Sequence, residues 1–440
     1  MRIRLFKYRP AAILALLSGA LLVGEAQAAN WLMLQGTEPA GAAPRAKLWG
    51  FIQPEYQDTD GSELAAGPWK GQEAIFNQIG PDLKTSTTFQ LRRARIGVRG
   101  TGMPLDSNVN YFFLAEAGNN GITRQGGGSV RLTDASVTLN HLPGARIRIG
   151  QFKYPGSEEG LQAIHVFDYI NFTNVSNMLL LERFFDGDGS DPQNANRPNG
   201  ALGAFRDVGV QLFDFFRKGG WEHSYAAMLG NGNGIDRADN DDNKDLYLYW
   251  SSELIYGGKG GRREGLKLLA WWQDGKRTLT GAGAGEYDRT RWGTGFTFRK
   301  NKWRAAGEYI AADGMVFNGT DGGAVAGAKN NAGTAVASFN VEPEGEADGW
   351  YLHTGYAVTP KWELDLRYDV LNRVTNVAAK ERKFETVTVG AQYFFNKKSR
   401  LIFNYEARDA EAPGLAAGAV PNQILGGMDD RISLQFLAIF

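Results

Sequence analysis

The feature that most constrains this chain is a period-two alternation of apolar and polar residues, which recurs in about sixteen segments of roughly ten residues. The clearest is 361–371, where every second residue from Trp362 to Val370 is apolar and the residues between them are charged. Successive side chains of a β-strand point to opposite faces, so each segment predicts a strand with one apolar and one polar face. The predicted strands are 47–57, 89–100, 108–117, 130–141, 146–154, 207–216, 221–229, 245–256, 266–274, 290–299, 303–312, 349–358, 361–371, 385–395, 400–408 and 430–440.

The connections between these segments alternate between short and long. The long connections lie near 58–84, 118–129, 155–206, 230–244, 275–289, 313–348, 372–384 and 409–429. An even number of strands with short turns at one end and long loops at the other is typical of bacterial outer-membrane barrels. The sequence therefore predicts an all-β, transmembrane antiparallel barrel of about sixteen strands, with short periplasmic turns, long extracellular loops and both termini in the periplasm. A soluble propeller or sandwich is the alternative, but neither requires this alternation.

The first residues predict export. Basic residues at positions 2, 4, 7 and 9 precede an apolar run, 11–23, and the small-x-small sequence Ala26-Gln27-Ala28. This order is typical of a cleaved signal peptide, and the run is too short for a comfortable transmembrane helix. We expect a signal peptide at 1–28, a periplasmic N-terminal segment at 29–44 and the barrel at 45–440. An uncleaved N-terminal anchor is the alternative.

The last residues form an amphipathic strand that ends in an aromatic residue. Ile432, Leu434, Phe436, Ala438 and Phe440 share one face at period two. This ending resembles that of proteins handled by the outer-membrane barrel assembly machinery, which implies recognition through Phe440.

Composition excludes several classes of protein. The chain has 57 glycines, which weaken helix interiors, and no cysteine, so it has neither disulfides nor thiol chemistry. Its formal net charge is zero, and nothing in it suggests nucleic-acid binding. The expected surroundings are outer-membrane lipid and lipopolysaccharide of a Gram-negative cell. Aromatic residues near strand ends fit interfacial girdles, although ordinary packing explains each one equally well: Trp303, Trp350, Trp362, Tyr393 and Phe395.

The number of strands carries the functional prediction. Barrels of about eight strands fill their interior with side chains, whereas sixteen leave an aqueous channel. Such a channel needs a constriction, and the third long connection, 155–206, is too apolar and aromatic for a freely solvated loop. We expect it to fold into the lumen and narrow it. The predicted constriction residues are Glu158, Glu159, His165, Asp168, Tyr169, Glu182 and Arg183.

Charged residues at inward strand positions are the predicted pore lining. We name ten of them the basic ladder: Arg93, Arg95, Arg99, Arg146, Arg148, Arg289, Arg291, Arg299, Arg304 and Arg367. Asp134, Lys153 and Glu308 complete the predicted lining. A row of arginines could favour anions by its field. The alternative is structural: the arginines pair with acids and brace the lumen.

Several motifs resemble the phosphate-selective porin O and P family. They are Leu91-Arg92-Arg93-Ala94-Arg95-Ile96-Gly97-Val98, Ile149-Gly150-Gln151-Phe152-Lys153-Tyr154-Pro155, and the Gly230–Gly234 loop followed by Lys244-Asp245. The resemblance covers most of the chain after residue 28 and implies a homotrimer of sixteen-stranded barrels. Two departures from the family's pattern argue against phosphate specificity in this chain. Gly156 stands where the family usually has phenylalanine, and residues 156–200 are rich in acids, the wrong sign for a phosphate filter.

The sequence predicts no enzyme, no cofactor and no metal site. The four histidines are scattered, and His165 near Asp168 is the only hint of a catalytic pair. The run from Asp186 to Asp191 resembles part of a calcium loop but lacks the closing glutamate, so a solvated loop is the favoured interpretation. Three functions remain open: a porin for small hydrophilic solutes and ions whose basic ladder favours small anions such as phosphate, a barrel enzyme, and a structural or adhesive barrel without an open channel.

Overall fold

The structure is a computed structural model that describes residues 30–37, 45–61, 63–76, 86–102, 106–123, 130–198, 202–235, 237–258, 263–320 and 322–440. The predicted signal peptide, 1–28, lies outside the described residues, as do 29 and 38–44 of the predicted periplasmic segment. Within the described ranges, no helix has both the length and the apolar character that a membrane-crossing helix needs.

Sixteen antiparallel strands of the described chain close into one barrel, in which β1 pairs with β18 and β11 with β14. The strands are β1 (Lys47–Gly61), β2 (Ser86–Thr101), β3 (Val109–Ala117), β4 (Arg131–Leu139), β5 (Arg146–Lys153), β6 (Arg206–Lys218), β7 (Trp221–Gly230), β8 (Asp245–Gly257), β9 (Glu264–Leu279), β10 (Gly285–Lys300), β11 (Trp303–Asp313), β12 (Val316–Gly319), β13 (Asn340–Glu342), β14 (Glu346–Ala357), β15 (Trp362–Arg373), β16 (Arg382–Asn396), β17 (Ser399–Glu411) and β18 (Met428–Ile439). Strands β12 and β13 form a separate small sheet in the loop after β11. The predicted fold class, a closed all-β antiparallel barrel, is confirmed.

Four short helices are not part of the barrel wall: α1 (Trp31–Leu34), α2 (Glu158–Leu161), α3 (Asn174–Leu179) and α4 (Val420–Leu425). Helix α1 precedes β1, and α2 and α3 lie in the connection between β5 and β6. The short turns and the barrel ends of both termini lie at one end, and the long connections lie at the other.

Burial along the strands is the reverse of that in a soluble protein. In β15 the apolar Leu364 and Leu366 are about half exposed, at 52% and 49%, whereas Asp365 and Arg367, which alternate with them, are buried. Apolar side chains facing lipid and polar ones facing the lumen produce this pattern, because a barrel in lipid has no polar solvent outside. The exposed apolar band is therefore the lipid-facing surface.

Aromatic residues cluster where the strands end. Next to the short turns, Trp303 packs on Tyr356 with ring centroids 4.6 Å apart, and Trp362 packs on Tyr393 at 4.9 Å. Phe395 continues this second cluster. Towards the opposite end, Trp350 lies 5.3 Å from Tyr368. These positions fit the girdles predicted from the sequence.

One predicted loop is wrong. Strands β9 and β10 continue beyond the predicted boundaries, so the connection predicted at 275–289 is only 280–284. Their added residues pair in register, Lys276 with Asp288 and Arg277 with Tyr287. Lys276 and Asp288 point outward and are exposed. Polar residues therefore occur on both faces of the two strands here, and the absence of alternation gave this stretch the composition of a loop.

The third long connection, which we call L3 (154–205), leaves the wall after Lys153 and returns at Arg206. Nearly all of its residues up to Phe185 are buried. Val175 of α3 packs so closely on the wall that a Cβ atom at Gly349 of β14 would lie 2.7 Å from its Cγ2. Leu179 and Phe185 join an apolar cluster with Tyr247 and Trp271 of the wall. The prediction that L3 folds into the lumen is confirmed.

Candidate functional site

The residues predicted to line the pore all lie on inward strand positions or at strand ends that turn inward. Ten of them are buried: Arg93, Arg95, Asp134, Arg148, Lys153, Arg289, Arg291, Arg304, Glu308 and Arg367. Arg99, Arg146 and Arg299 are partly exposed. Their role in conduction stays a prediction.

Strand β2 carries one more inward arginine than the sequence predicted. The pairing of β1 with β2 shifts between Gln53 and Pro54, where a bulge leaves Arg92 without a partner in the ladder. A bulge adds a residue to one strand and re-aims the side chains around it. Arg92 and Arg93 are therefore both buried on the inner side. Strict alternation assigns Arg92 to the lipid face, so no sequence signal distinguishes it.

Five arginines of the basic ladder pair with acids. Arg95 lies 2.5 Å from Glu116, Arg146 lies 3.2 Å from Asp214, and Arg289 lies 3.2 Å from Glu182. Arg304 pairs with Asp168 of L3 at 3.1 Å and also with Glu363 and Asp365. Arg367 lies 3.6 to 3.9 Å from Glu159, Asp369 and Glu406. These pairs have the geometry of the structural alternative.

Four other buried cations contact no carboxylate within ion-pair distance in the described chain. Arg291 donates to backbone carbonyls, including that of Leu179 at 2.8 Å. Lys153 donates to the carbonyls of Gly160 and Gln162, each at 2.7 Å. Arg148 donates to Thr138 and to residues 32 and 37. Arg93 donates to Gln53 at 3.2 Å, and its Nε and Nη2 have no hydrogen-bond partner among the described residues. The wall therefore holds positive charge that nearby acids do not neutralise.

Polar contacts from several strands hold the middle of L3. The side-chain oxygen of Asn171 accepts a hydrogen bond from Arg92 at 2.9 Å, and its backbone oxygen accepts one from Arg367 at 2.8 Å. Its amide donates to Glu406 at 2.9 Å. Asn171 thus joins three strands, and a narrow range of loop positions satisfies all three contacts.

The acids of L3 are bound rather than free. Glu158 accepts from Lys267 of β9, and Glu159 accepts from the Thr173 hydroxyl at 2.6 Å. Burial raises the pKa of Glu159. Burial also acts to raise the pKa of Glu182, but Arg277 and Arg289 outweigh it and hold that pKa at about 2. Glu182 is therefore ionised across the physiological range.

The other predicted constriction residues are also inside the barrel. His165 packs on Trp49 and Phe51, with ring centroids 5.8 and 5.2 Å away, and burial lowers its pKa to about 3. Tyr169 lies under the guanidinium of Arg367, 4.5 Å from its ring centroid. Arg183 donates to the backbone oxygen of Asn177 at 2.7 Å. With its pKa lowered to about 3, His165 is neutral at physiological pH.

Besides Arg92, the cations that bind L3 but were not among the predicted residues include Lys267, Arg277 and Arg400, the last of which donates to the backbone oxygen of Phe167 at 2.5 Å. Lys267 lies within a predicted strand, at the same parity as the inward Trp271, so the alternation could have identified it. Arg277 pairs with Glu182 at 2.9 Å and with Asp245 at 2.8 Å. Its strand was predicted to end before residue 277, so its inward position could not be inferred.

A cavity of about 80 Å³ remains below L3, towards the short turns. One water molecule needs ~10–15 Å³ of such space, so several fit. Acids of L3 and β8 and cations at or next to β9–β11 line it together: the charged lining residues are Glu158, Glu159, Asp168, Glu253, Arg263, Lys267, Arg299 and Arg304. The cavity thus presents both signs of charge to a solute.

Residues 30–37, which we call the N-terminal segment, also contact the inside of the barrel. Trp31, Leu32 and Met33 are buried, at 7%, 1% and 7% exposure. The indole of Trp31 donates to Glu158 at 3.0 Å, and Trp31 forms part of the cavity wall. The predicted periplasmic segment, 29–44, thus has its described residues at the barrel's inner surface.

The described residues contain no group of three or more histidines, cysteines and acids arranged to hold a metal ion. In the calcium-like run, Asp188 accepts from the backbone nitrogen of Ser190 at 2.8 Å, and Asp191 accepts from that of Gln193 at 2.9 Å. Such local turns use the carboxylates within the loop. They fit the interpretation of a solvated loop.

No protein-family model matches this chain, and no curated protein matches it in sequence. Its fold is similar to several solved structures. The outer membrane channel DcaP of Acinetobacter baumannii is 14% identical, with a TM-score of 0.52 over 92% of this chain and 100% of that one. An anion-selective porin from Comamonas acidovorans is 14% identical, with a TM-score of 0.53 over 90% and 100%. OmpF of Salmonella typhi, in complex with daunomycin, is 14% identical, with a TM-score of 0.52 over 90% and 97%. This chain therefore has an outer-membrane porin fold.

Proposed function

We propose that this chain is an outer-membrane porin, through which small hydrophilic solutes and ions diffuse passively. The observation that carries the proposal is a closed barrel of sixteen strands, apolar outside and charged inside. A sheet can span lipid only when it closes on itself, and sixteen strands enclose enough space for an aqueous channel. The fold shared with DcaP and with the Comamonas porin supports the same proposal.

We further propose that the channel prefers small anions. Arg93, Lys153, Arg148 and Arg291 support this preference, because each is buried in the wall without a carboxylate at ion-pair distance in the described chain. Charges in the lumen tune selectivity in such barrels. The five paired arginines of the basic ladder contribute to the structure instead. Phosphate, which the resemblance to the porin O and P family implies, is one candidate solute.

The proposed location is the outer membrane of a Gram-negative cell, in contact with lipid and lipopolysaccharide. Delivery through the barrel assembly machinery, with Phe440 as the recognised end, and assembly as a homotrimer follow from the sequence resemblances. Unheated gel electrophoresis of detergent-extracted protein tests the trimer: we expect a band at three times the monomer mass that heating converts to the monomer.

A structural or adhesive barrel is the alternative, and one observation favours it: L3 and the N-terminal segment occupy much of the lumen. A barrel enzyme has less support. The ring of His165 packs on aromatic residues, Asp168 pairs with Arg304, and no hydrogen bond joins the two in the described part of the chain.

Single-channel recording in planar bilayers tests the proposed function. The purified protein is added to a bilayer in simple salt, without any other substrate. A porin gives discrete conductance steps under these conditions. A stable, heat-modifiable barrel that gives no steps at any voltage, with residues 30–37 present or deleted, would establish the structural alternative.

A further inference from the structure

The N-terminal segment lies where it can obstruct the channel. It contacts three separate parts of the lumen: L3, strands β2 and β5, and strand β7. Asn30 hydrogen-bonds Ser224 of β7, and Gln35 donates to the backbone oxygen of Leu161 in L3 at 3.1 Å. A peptide bound at three points across the interior reduces the open cross-section.

Two arginines of the basic ladder hold the backbone of this segment. Arg99 donates to the carbonyl of Leu34 at 3.1 Å. Arg148 donates to the carbonyl of Leu32 at 3.4 Å and to the hydroxyl of Thr37 at 3.1 Å. Arg148 therefore donates its hydrogen bonds to the segment and to Thr138. An anion could bind Arg148 only by displacing these acceptors.

The segment is also fitted sterically. Gly36 has φ +79°, a left-handed conformation that glycine adopts readily. A Cβ atom there would lie 2.7 Å from the Cβ of Phe112 on β3. Any other residue at position 36 would be both strained and overcrowded. The close approach shows that the segment packs against the wall rather than merely lying near it.

The balance of forces suits a reversible contact. Three buried apolar side chains and a few hydrogen bonds favour docking, whereas the ordering of eight residues opposes it. These opposing contributions are of similar size. A displaced segment would stay attached, since residues 38–44 join it to the chain that begins β1.

We propose that residues 30–37 are a tethered plug that obstructs the channel at the end of the short turns. Docked, the plug completes the wall of the cavity through Trp31 and binds Arg99 and Arg148. Undocked, it opens the cavity and exposes both arginines to solutes. This inference rests on the proposed porin function.

The test compares the parent protein with a deletion of residues 30–37 in planar bilayers. We expect the deletion to raise single-channel conductance at least twofold and to lengthen open times. Trp69→Ala is the matched control. It removes an indole that donates to the backbone oxygen of Ala328 and so joins the loop after β1 to the loop after β11. It should leave conductance at the parent value. Equal conductance of deletion and parent overturns the plug but not the porin. Absence of conductance in both overturns the porin itself.

A thiol-accessibility measurement covers the case in which the deletion fails to fold. The chain has no cysteine, so Met33→Cys carries a single thiol. In the folded barrel we expect this thiol to react with a charged, water-soluble reagent at least tenfold more slowly than in denatured protein. Adding Trp31→Ala should restore much of the rate, because it removes the bond to Glu158. A rate in the folded Met33→Cys protein equal to that in denatured protein would overturn the plug.

Discussion

The lumen has two walls, and they differ in the balance of forces that hold L3. Polar contacts reach the loop from both, including those of Lys267 with Glu158 and Arg277 with Glu182, but Leu179 and Phe185 pack on only one of the two. The charged wall, formed by β1, β2, β15, β17 and β18, presents the buried residues Glu55, Arg92, Arg93, Arg367, Glu406 and Arg431. The aromatic wall, formed by β7–β11, presents the buried residues Met228, Tyr247, Tyr249, Leu269, Trp271 and Ile310. L3 binds the first through Asn171 and packs on the second through Leu179 and Phe185.

The two walls therefore contribute differently to holding L3 and to binding a solute. Apolar packing is not directional, and it fixes the loop without leaving polar groups for a solute. Hydrogen bonds and ion pairs are directional, and where they remain incomplete, as at Arg93, they leave donors that a solute can use. Under the porin proposal, a solute that passes the charged wall meets the donors of Arg93. Substitutions on each wall test this difference.

The largest effect is expected on the charged wall, from Arg367→Met. The change leaves Glu159, Asp369 and Glu406 buried next to an apolar side chain. Removing one member of a buried ionic network costs about 3–5 kcal/mol in the free energy of unfolding. Denaturant unfolding in detergent measures it. The control is Arg217→Met, which removes a half-exposed arginine whose partner Glu222 keeps its pair with Arg263, and which should cost ~0–1 kcal/mol. Equal costs for the two variants would refute the distinction.

On the aromatic wall, Leu179→Ala should lower the free energy of unfolding by about 2–5 kcal/mol, because it creates a cavity in a buried cluster. L3 should also become easier to cleave with protease. Leu364→Ala is the matched control, since Leu364 points to lipid and leaves no internal cavity. If cleavage of L3 were unchanged in Leu179→Ala, packing on the aromatic wall would not be what holds the loop.

A smaller effect is expected from Arg93→Gln, because the part of the chain that the structure describes holds no acid at ion-pair distance from Arg93 that would be left unpaired. The barrel should keep its stability and lose anion preference. A unit charge ~7 Å from an ion in water contributes about 0.6 kcal/mol, or about threefold in relative permeability. Reversal potentials measure the ratio. Arg304→Gln, which leaves acids unpaired, should reduce stability as well. An unchanged ratio in Arg93→Gln would place the ion path elsewhere.

The smallest effect is expected from mild acid. The pKa of Glu182 is about 2 in the fold, below its ordinary value of about 4.3. A lowered pKa contributes stability that is present above pH ~4.3 and is lost as the pH falls through about 2. The difference in unfolding free energy between the parent and Glu182→Gln should therefore stay constant from pH 7 to ~5 and shrink only below that. A difference that shrinks between pH 7 and 5 would contradict the assignment.

The barrel could be predicted from the sequence because each strand repeats the same constraint. In β15 the alternation of Leu364, Asp365, Leu366 and Arg367 determines which face meets lipid, whatever the rest of the chain does. The folding of L3 into the lumen could also be predicted, because a long apolar loop cannot remain in water. Both depend only on local composition.

The pairing inside the lumen could not be predicted. Arg92 turns inward through a bulge that depends on the register of two strands. Arg367 meets Glu159 across the lumen, from distant parts of the chain. The position of residues 30–37 depends on a surface that exists only once the barrel is closed. Such contacts follow from three-dimensional closure rather than from any short stretch of sequence.

The most direct test of the account is the reversal potential of the purified protein in a bilayer that separates two concentrations of potassium chloride. We expect discrete channels whose reversal potential has the sign of chloride preference, because Arg93, Arg148, Lys153 and Arg291 are buried in the barrel wall without an acid at ion-pair distance in the described chain. A reversal potential with the sign of potassium preference would contradict it.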